Sequence, residues 1–495
     1  MTGQGKDLTH GHPARKIVVF AIPLLIGNIF QQFYNMADMV IVGRTIGTQA
    51  LAAIGATGAI AFLVVGMSFG ITSGFTVITA QRFGAGDHDG MRRSVATSVV
   101  LSLVISVLIT VVAVTTAYTM FEVMRTPADI IDDAHRYIIV IYGGTVVTIF
   151  FNLFAGVLRA VGDSRTPLLF LIVACIVNIV LDYVLIVNFH MGVAGAGWAT
   201  VAAQALSVFL CLVYTARKLP VLRLKRSDWK LEWESCKKHL VIGFSMGMQM
   251  AIIAVSTIFF QVGVNSLGTD SVKAFSSAVK IDQLAIQPLF SIGVAVATFT
   301  AQNYGAGKFA RIREGVRYGS IINTAWSVLG CVLMITAGRW LLGLFGIGAN
   351  EPHVVSEARM YLNTTSLFYI ILGLLFVFRN ALQGMGKNRI PLAASAVDIV
   401  VRTAMTFTFV EWWGFRGLCF VSPLTWLYAA LLLFFGYVAA MRRVGSGKRP
   451  TSESVVLNYD AQAKFGNITE NVPSVSVEVE MEGEGNRPRD SVRIL

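Results

Sequence analysis

The sequence predicts an all-α polytopic membrane protein, with twelve transmembrane helices in two six-helix lobes related by a pseudo-two-fold axis along the membrane normal. Three observations carry that prediction. Hydrophobic residues make up 55% of the 495 positions and charged residues only 14%, too little charge to cover a soluble surface of that size. The apolar residues fall into runs near the ~20 residues needed to cross a bilayer. The heptad Ala80-Gln81-Arg82-Phe83-Gly84-Ala85-Gly86 returns as Ala301-Gln302-Asn303-Tyr304-Gly305-Ala306-Gly307, each copy closing a long apolar stretch. A repeat at that separation marks two copies of one unit. An even number of spans per copy gives both copies the same orientation, which sets the axis along the normal.

The elements follow in order. The chain is polar through Lys16 and shows no cleavable signal with an Ala-x-Ala site, so the first run, about 17–42, is read as a retained helix. The second, about 52–79, ends in the first heptad. The third and fourth, about 95–118 and 136–158, flank the acidic stretch Asp129, Asp132 and Asp133. The fifth, about 167–188, starts at Pro167 after Gly162-Asp163-Ser164-Arg165-Thr166, a turn whose glycine permits tight geometry and whose proline starts a helix well. The sixth covers about 193–215. In the second half the runs are about 240–264, 274–300, 318–338, 359–381, 391–410 and 416–440. The fifth of these again starts at a proline, Pro391, after Gly386-Lys387-Asn388-Arg389-Ile390. The runs are too long and too evenly apolar for barrel strands.

Charge sets orientation and boundaries. Connections after even-numbered spans carry Arg82, Arg92 and Arg93; Arg159 and Arg165; Lys308, Arg311, Arg313 and Arg317; and Arg379, Lys387 and Arg389. The basic side is cytoplasmic, so both termini are expected there, in a multi-pass protein of the cytoplasmic membrane. The expected organisation is an N-lobe of residues 1–216, a basic cytoplasmic linker of 217–238, a C-lobe of 239–444 and a disordered polar tail of 445–495. The net charge of +12 sits in these short loops and addresses anionic lipid, not nucleic acid. Five cysteines and seven histidines show no paired spacing, so no metal centre is assigned, and no cofactor is expected.

Ionisable groups inside membrane helices are costly and become functional candidates. Tyr34 and Asp38 lie one turn apart in the first span, Asn178 and Asp182 one turn apart in the fifth, and Asn152 in the fourth. A carboxyl group out of water favours its neutral form, so such a group can load and release a proton. Its oxygens can also ligate sodium, for which Asp38 is the candidate. In the second half, Lys280 and Asp282 in the eighth span and Asp398 and Arg402 in the eleventh form a candidate polar cluster, with a structural Asp398–Arg402 pair as the leading reading. Met246, Met248, Met250, Phe259 and Phe260 are read chiefly as packing.

Several stretches resemble the multidrug and toxic compound extrusion (MATE) family: Asp38-Met39-Val40-Ile41-Val42-Gly43 with Ala50-Leu51-Ala52-Ala53-Ile54-Gly55, Arg159-Ala160-Val161-Gly162-Asp163, Asn178-Ile179-Val180-Leu181-Asp182 and Gln302-Asn303-Tyr304-Gly305-Ala306-Gly307. The resemblance spans roughly residues 16–443. It implies two six-helix lobes and cation-coupled efflux by alternating access. The chain looks most like the DinF-like prokaryotic branch, whose N-lobe cation site matches Asp38, Tyr34, Asn152, Asn178 and Asp182. The seventh-span glutamate of NorM-like members has no counterpart in Gly243–Ile253.

The resulting expectation is a secondary active transporter, not an enzyme: a monomeric multidrug antiporter coupled to protons, with sodium as the alternative ion. It would carry lipophilic cations and contact membrane lipid. The rival readings are a lipid-linked precursor flippase and, further off, a membrane receptor or channel. No phosphate-binding Gly-x-x-x-x-Gly-Lys-Ser/Thr motif is present, so a gradient supplies the energy.

Overall fold

The computed structural model describes residues 6–124, 126–344 and 351–445. The expected tail therefore lies, but for Gly445, outside the described residues. Among them are fourteen α-helices and no strand: α1 Pro13–Thr45, α2 Thr48–Gly84, α3 His88–Val123, α4 Ile131–Gly143, α5 Thr145–Ala160, α6 Arg165–Tyr183, α7 Gly192–Lys218, α8 Trp233–Asn265, α9 Thr269–Gly305, α10 Phe309–Leu344, α11 Pro352–Leu367, α12 Tyr369–Gly384, α13 Arg389–Trp413 and α14 Phe415–Gly445. Ten of these are long and apolar enough to cross a membrane singly. The pairs α4–α5 and α11–α12 bring the total to twelve if each is one bent span.

Those two bends fall inside the fourth and tenth runs of the sequence reading. They measure 47° and 51°. At the first, Gly144 joins the helices, and a Cβ there would overlap Val201 of α7. At the second, the Thr365 hydroxyl bonds back to the Tyr361 carbonyl (2.8 Å), and the Phe368 amide turns to the Thr365 carbonyl (3.0 Å), which tightens and bends the last turn of α11.

The helices are apolar outward and small or polar inward, as a lipid solvent requires. In α3, Ser94, Ser98, Ser102 and Ser106 form a buried ladder at four-residue spacing, continued by Ala113 and Ala117. Val104, Leu108 and Val111 of the same helix point outward, 56–64% exposed.

The first span of each half packs against both halves. Span one (α1) packs on α9, and the equivalent span seven (α8) packs on α2. The α2–α8 crossing is backbone to backbone: a Cβ on Gly74 would stand 2.6 Å from the Gly243 Cα, and one on Gly70 would stand 2.5 Å from the Met246 carbonyl oxygen. Helix α1 joins both halves. Its early residues Ile17, Phe20 and Ala21 are buried in a core with Phe299, Ile312, Leu382 and Leu433 of the second half.

The repeated heptads meet at one end of the bundle. Gln81 Nε2 donates to the Gly384 carbonyl (2.9 Å), and Gln302 Nε2 donates to the Ala160 carbonyl (2.8 Å). Each glutamine thus caps the last carbonyl of a broken span, α12 or α5, in the opposite half. A Cβ on Gly84 would overlap the Gln302 carbonyl, and one on Gly305 would overlap that of Gln81. Here glycine is required by approach, not by dihedral angle.

An N-terminal strap crosses this seam. The Leu8 amide donates to Gln302 Oε1 (2.9 Å), and the Leu8 carbonyl accepts from Arg311 (3.2 Å). Lys308 donates to the Thr9 carbonyl and to His10 Nε2, both at 3.0 Å. His10 Nδ1 in turn stands 2.5 Å from Asp7 Oδ2, so the imidazole links Lys308 to Asp7. The basic connection is docked as well. Leu219 and Leu222 are buried with Met91 and Leu158, and Asp228 accepts from the Lys225 amide (2.7 Å) and from Arg92 Nε (3.2 Å).

Candidate functional site

Two polar sites lie within the helical bundle. The first is inside the first half. Tyr34 and Asp38 project from α1 at one-turn spacing, and Asn178 and Asp182 do the same from α6. Asp182 stands just before a single π turn, Val184–Asn188, the kind of helix irregularity that gathers at functional sites. The carboxyl groups of Asp38 and Asp182 lie close enough to interact electrostatically. Two carboxyl groups placed so closely can share a proton or a cation, since neither carboxylate can donate to the other. Asp38 is 8% exposed and Asp182 is fully buried. No lysine or arginine contacts either one among the described residues. Asp38 Oδ1, both oxygens of Asp182 and both polar atoms of the Asn178 amide have no hydrogen-bond partner among the described residues.

Tyr34 Oη and Thr200 Oγ1 of α7 share a hydrogen bond of 3.0 Å at the edge of this site. Tyr137 of α4 lies within electrostatic range of Asp38, Asp182 and Tyr34. Neither Thr200 nor Tyr137 was legible in the sequence, because an isolated hydroxyl in an apolar run carries no pattern. Asn152 sits half-buried on α5, and no hydrogen bond joins it to either carboxyl group. Two carboxylic oxygens facing an unpartnered amide suit a proton or a small hard cation such as sodium.

The second-half cluster is divided. Asp398 and Arg402 form a two-bond ion pair, both bonds 3.2 Å, and Arg402 also donates to Ser422 Oγ (3.1 Å). Asp282 instead accepts from the Tyr369 hydroxyl at 2.5 Å, on the far side of the helix from Lys280. Lys280 is exposed on α9 and makes no ion pair or hydrogen bond among the described residues. As their two-residue spacing requires, Lys280 and Asp282 diverge, and Lys280 does not join the Asp398–Arg402 pair.

The second site is a cavity of about 440 Å³ between the halves, with walls from α2, α5, α8, α9, α12, α13 and α14. It bottoms on Ala80, Ala160 and Ala301, next to the sealed heptads. Its body is apolar, with Phe62, Phe69, Met250, Phe290 and Trp426. Its ionisable lining is Arg159, Arg379, Asp398 and Arg402. The sequence reading assigned Arg159 and Arg379 to basic loops. The structure corrects this: both lie within helices, α5 and α12, and face the cavity, because those helices run on past the apolar core. The Asp38–Asp182 pair does not line this cavity.

The MatE family model matches residues 23–184 and again 245–408, one copy in each half and together well over half of the chain. The chain is 28% identical over 433 residues to the probable multidrug resistance protein YpnP of Bacillus subtilis, covering 87% of this chain and 96% of that protein. It is 20% identical over 432 residues to the FAD transporter of Shewanella oneidensis, covering 85% and 93%. Among solved structures, one described as the outward-facing conformation of a multidrug resistance MATE family transporter of the MOP superfamily superimposes with a TM-score of 0.84 at 23% identity, over 91% of this chain and all of that one.

Proposed function

The chain belongs to the MatE family of membrane transporters, and from that premise we propose that it is a gradient-driven multidrug antiporter of the cytoplasmic membrane that works by alternating access. The observation that carries this reading is the buried Asp38–Asp182 pair, which no lysine or arginine contacts among the described residues, with Asp38 on a helix that reaches both halves. A proton shared between the two carboxyl groups, or a sodium ion held by them and the Asn178 amide, neutralises the pair and favours one packing of α1. Release restores the charge and favours another. Cargo binds elsewhere, in the cavity between the halves, so ion and cargo communicate through α1 and do not displace each other directly. Pro23 inside α1 removes one backbone donor, and a helix bends most readily at such a point.

Proton coupling is the favoured form of this proposal. The basic heptad end faces the cytoplasm, with lobes 1–216 and 239–444 joined by 217–238 and a dispensable tail 445–495. The relatives' names span multidrug resistance and FAD transport, so the family leaves the charge of the cargo to be read from the cavity. The test is dye export into everted vesicles under an imposed pH or sodium gradient. Asp38→Asn is expected to lose coupled transport, and wild-type transport by that variant would end the assignment. Transport driven by sodium alone at clamped pH would replace the proton with sodium.

A further inference from the structure

We propose that the central cavity is built for small organic anions with an apolar body, held by Arg159 of one half and Arg379 of the other. The inference rests on the export reading above and names the substrate class of the same transporter.

The argument begins with charge. Three arginines and one carboxylate line the cavity. Asp398 makes both of its hydrogen bonds to Arg402, so that pair adds no net charge and three arginines against one carboxylate leave an excess of two positive charges. Arg159 and Arg379 remain, and neither forms an ion pair or a side-chain hydrogen bond among the described residues. A guanidinium stays protonated in any protein environment, so it cannot escape burial by losing its charge. Arg159 sits in the last turn of α5, where the helix end offers partial negative charge. Arg379 lies more than a turn before the end of α12, and the countercharge it feels, Asp398, is the one already bonded to Arg402. Its Nε is buried without an acceptor.

Hydrogen-bonding capacity points the same way. The hydroxyls of Ser256 and Ser395 line the cavity, buried and without partners. Together with the Arg379 Nε–H they offer three hydrogen-bond donors without an acceptor. A carboxylate, sulfonate or phosphate group satisfies such donors, because it is acceptor-only and matches the planar guanidinium fork. A lipophilic cation would place its charge against two unpaired arginines. The aromatic and methionine walls accept the apolar body, and 440 Å³ is the size range of drug-like ligands.

The test uses two xanthene dyes of similar body and opposite charge, fluorescein and rhodamine 123. Binding to the full-length protein in detergent is read by anisotropy, and export by dye retained in proteoliposomes under an imposed pH gradient. Fluorescein is expected to bind and be exported at least tenfold better than rhodamine 123. Arg379→Gln and Arg159→Gln are each expected to lose tenfold or more in fluorescein affinity, with partial recovery in Arg379→Lys. Size-exclusion profiles and melting curves identify any variant that fails to fold. Preferential binding and export of rhodamine 123 would overturn the proposal and leave gradient-driven export standing. Arginine-dependent fluorescein binding without export on any gradient would keep the anion site and remove the export reading. A fluorescent phosphatidylglycerol moved in an arginine-dependent way, with fluorescein neither bound nor moved, would assign the cavity to a lipid headgroup and overturn the small-anion form.

Discussion

Gln302→Ala tests how the two halves are held together at the heptad end. The wild-type side chain is fully buried and makes two hydrogen bonds across the seam, to the Ala160 carbonyl (2.8 Å) and from the Leu8 amide (2.9 Å). Each is worth about 1 kcal/mol net, and a buried partner left unsatisfied costs about 1–3 kcal/mol. Ala160 and Leu8 are themselves buried, so truncation takes about 2–4 kcal/mol from this closed arrangement. At ~1.4 kcal/mol per factor of ten, the closed-to-open ratio falls roughly 30- to 1,000-fold. Spin labels on His88 and Ala310, exposed at the first turns of α3 and α10, report the separation by pulsed dipolar spectroscopy. The wild type is expected to give one short distance and Gln302→Ala a second, longer population. Gln81→Ala removes one such bond, to Gly384, and is expected to shift the balance less. An unchanged distance distribution in Gln302→Ala, or a larger effect from Gln81→Ala, would refute the reasoning.

Four further outcomes are expected. Gly74→Leu places a side chain where a Cβ already stands 2.6 Å from the Gly243 backbone, so it should lower the melting temperature in detergent by several degrees or spread the spin-label distances; a wild-type melt and wild-type distances would show that α2 and α8 have room to spare. Asp182→Asn relieves the charge crowding at Asp38 and should melt no lower than wild type while losing gradient-driven export; a drop in melting temperature with export preserved would make the pair structural. Tyr369→Phe removes the hydrogen bond to buried Asp282 and should cost about 1–3 kcal/mol by thermal or denaturant unfolding, with Asp282→Asn milder; the reverse order would mean that the carboxyl group has another partner. Burial by itself raises the Asp7 carboxyl group, but hydrogen bonds from His10 and Thr9 outweigh it and hold it below its ordinary 3.8. A lowered native pKa gives stability that is present above the ordinary value and lost as pH falls through the lowered one. A spin label at Lys6 should therefore stay immobile from pH 7 to 5 and loosen only below about 4; loosening already by pH 5 would assign the strap to another group.

The spans were legible because the bilayer imposes length and polarity on each segment separately. The repeat was legible because both heptads do the same job, each capping a carbonyl of the opposite half. Asp38 and Asp182 stood out since charge is rare in such runs, and one-turn spacing paired them with Tyr34 and Asn178. Thr200, Tyr137 and the bend at Phe368 left no trace, for they depend on which helix becomes a neighbour. The two-residue spacing of Lys280 and Asp282 already turns them to different sides of α9, but it does not show that Asp282 meets Tyr369.

The sequence by itself determined that this chain spans a membrane as a duplicated unit and where its intramembrane carboxylates lie. Those are properties of composition, length and local spacing. Only the tertiary structure decided that the two carboxyl groups meet, that α1 reaches into the second half's core, and that Arg159 and Arg379 face a shared cavity instead of the loops. An arginine near a helix end looks the same in sequence whether it points to headgroups or inward. Its direction is set by the rotation of the helix against its neighbours, and those neighbours are far away in the chain.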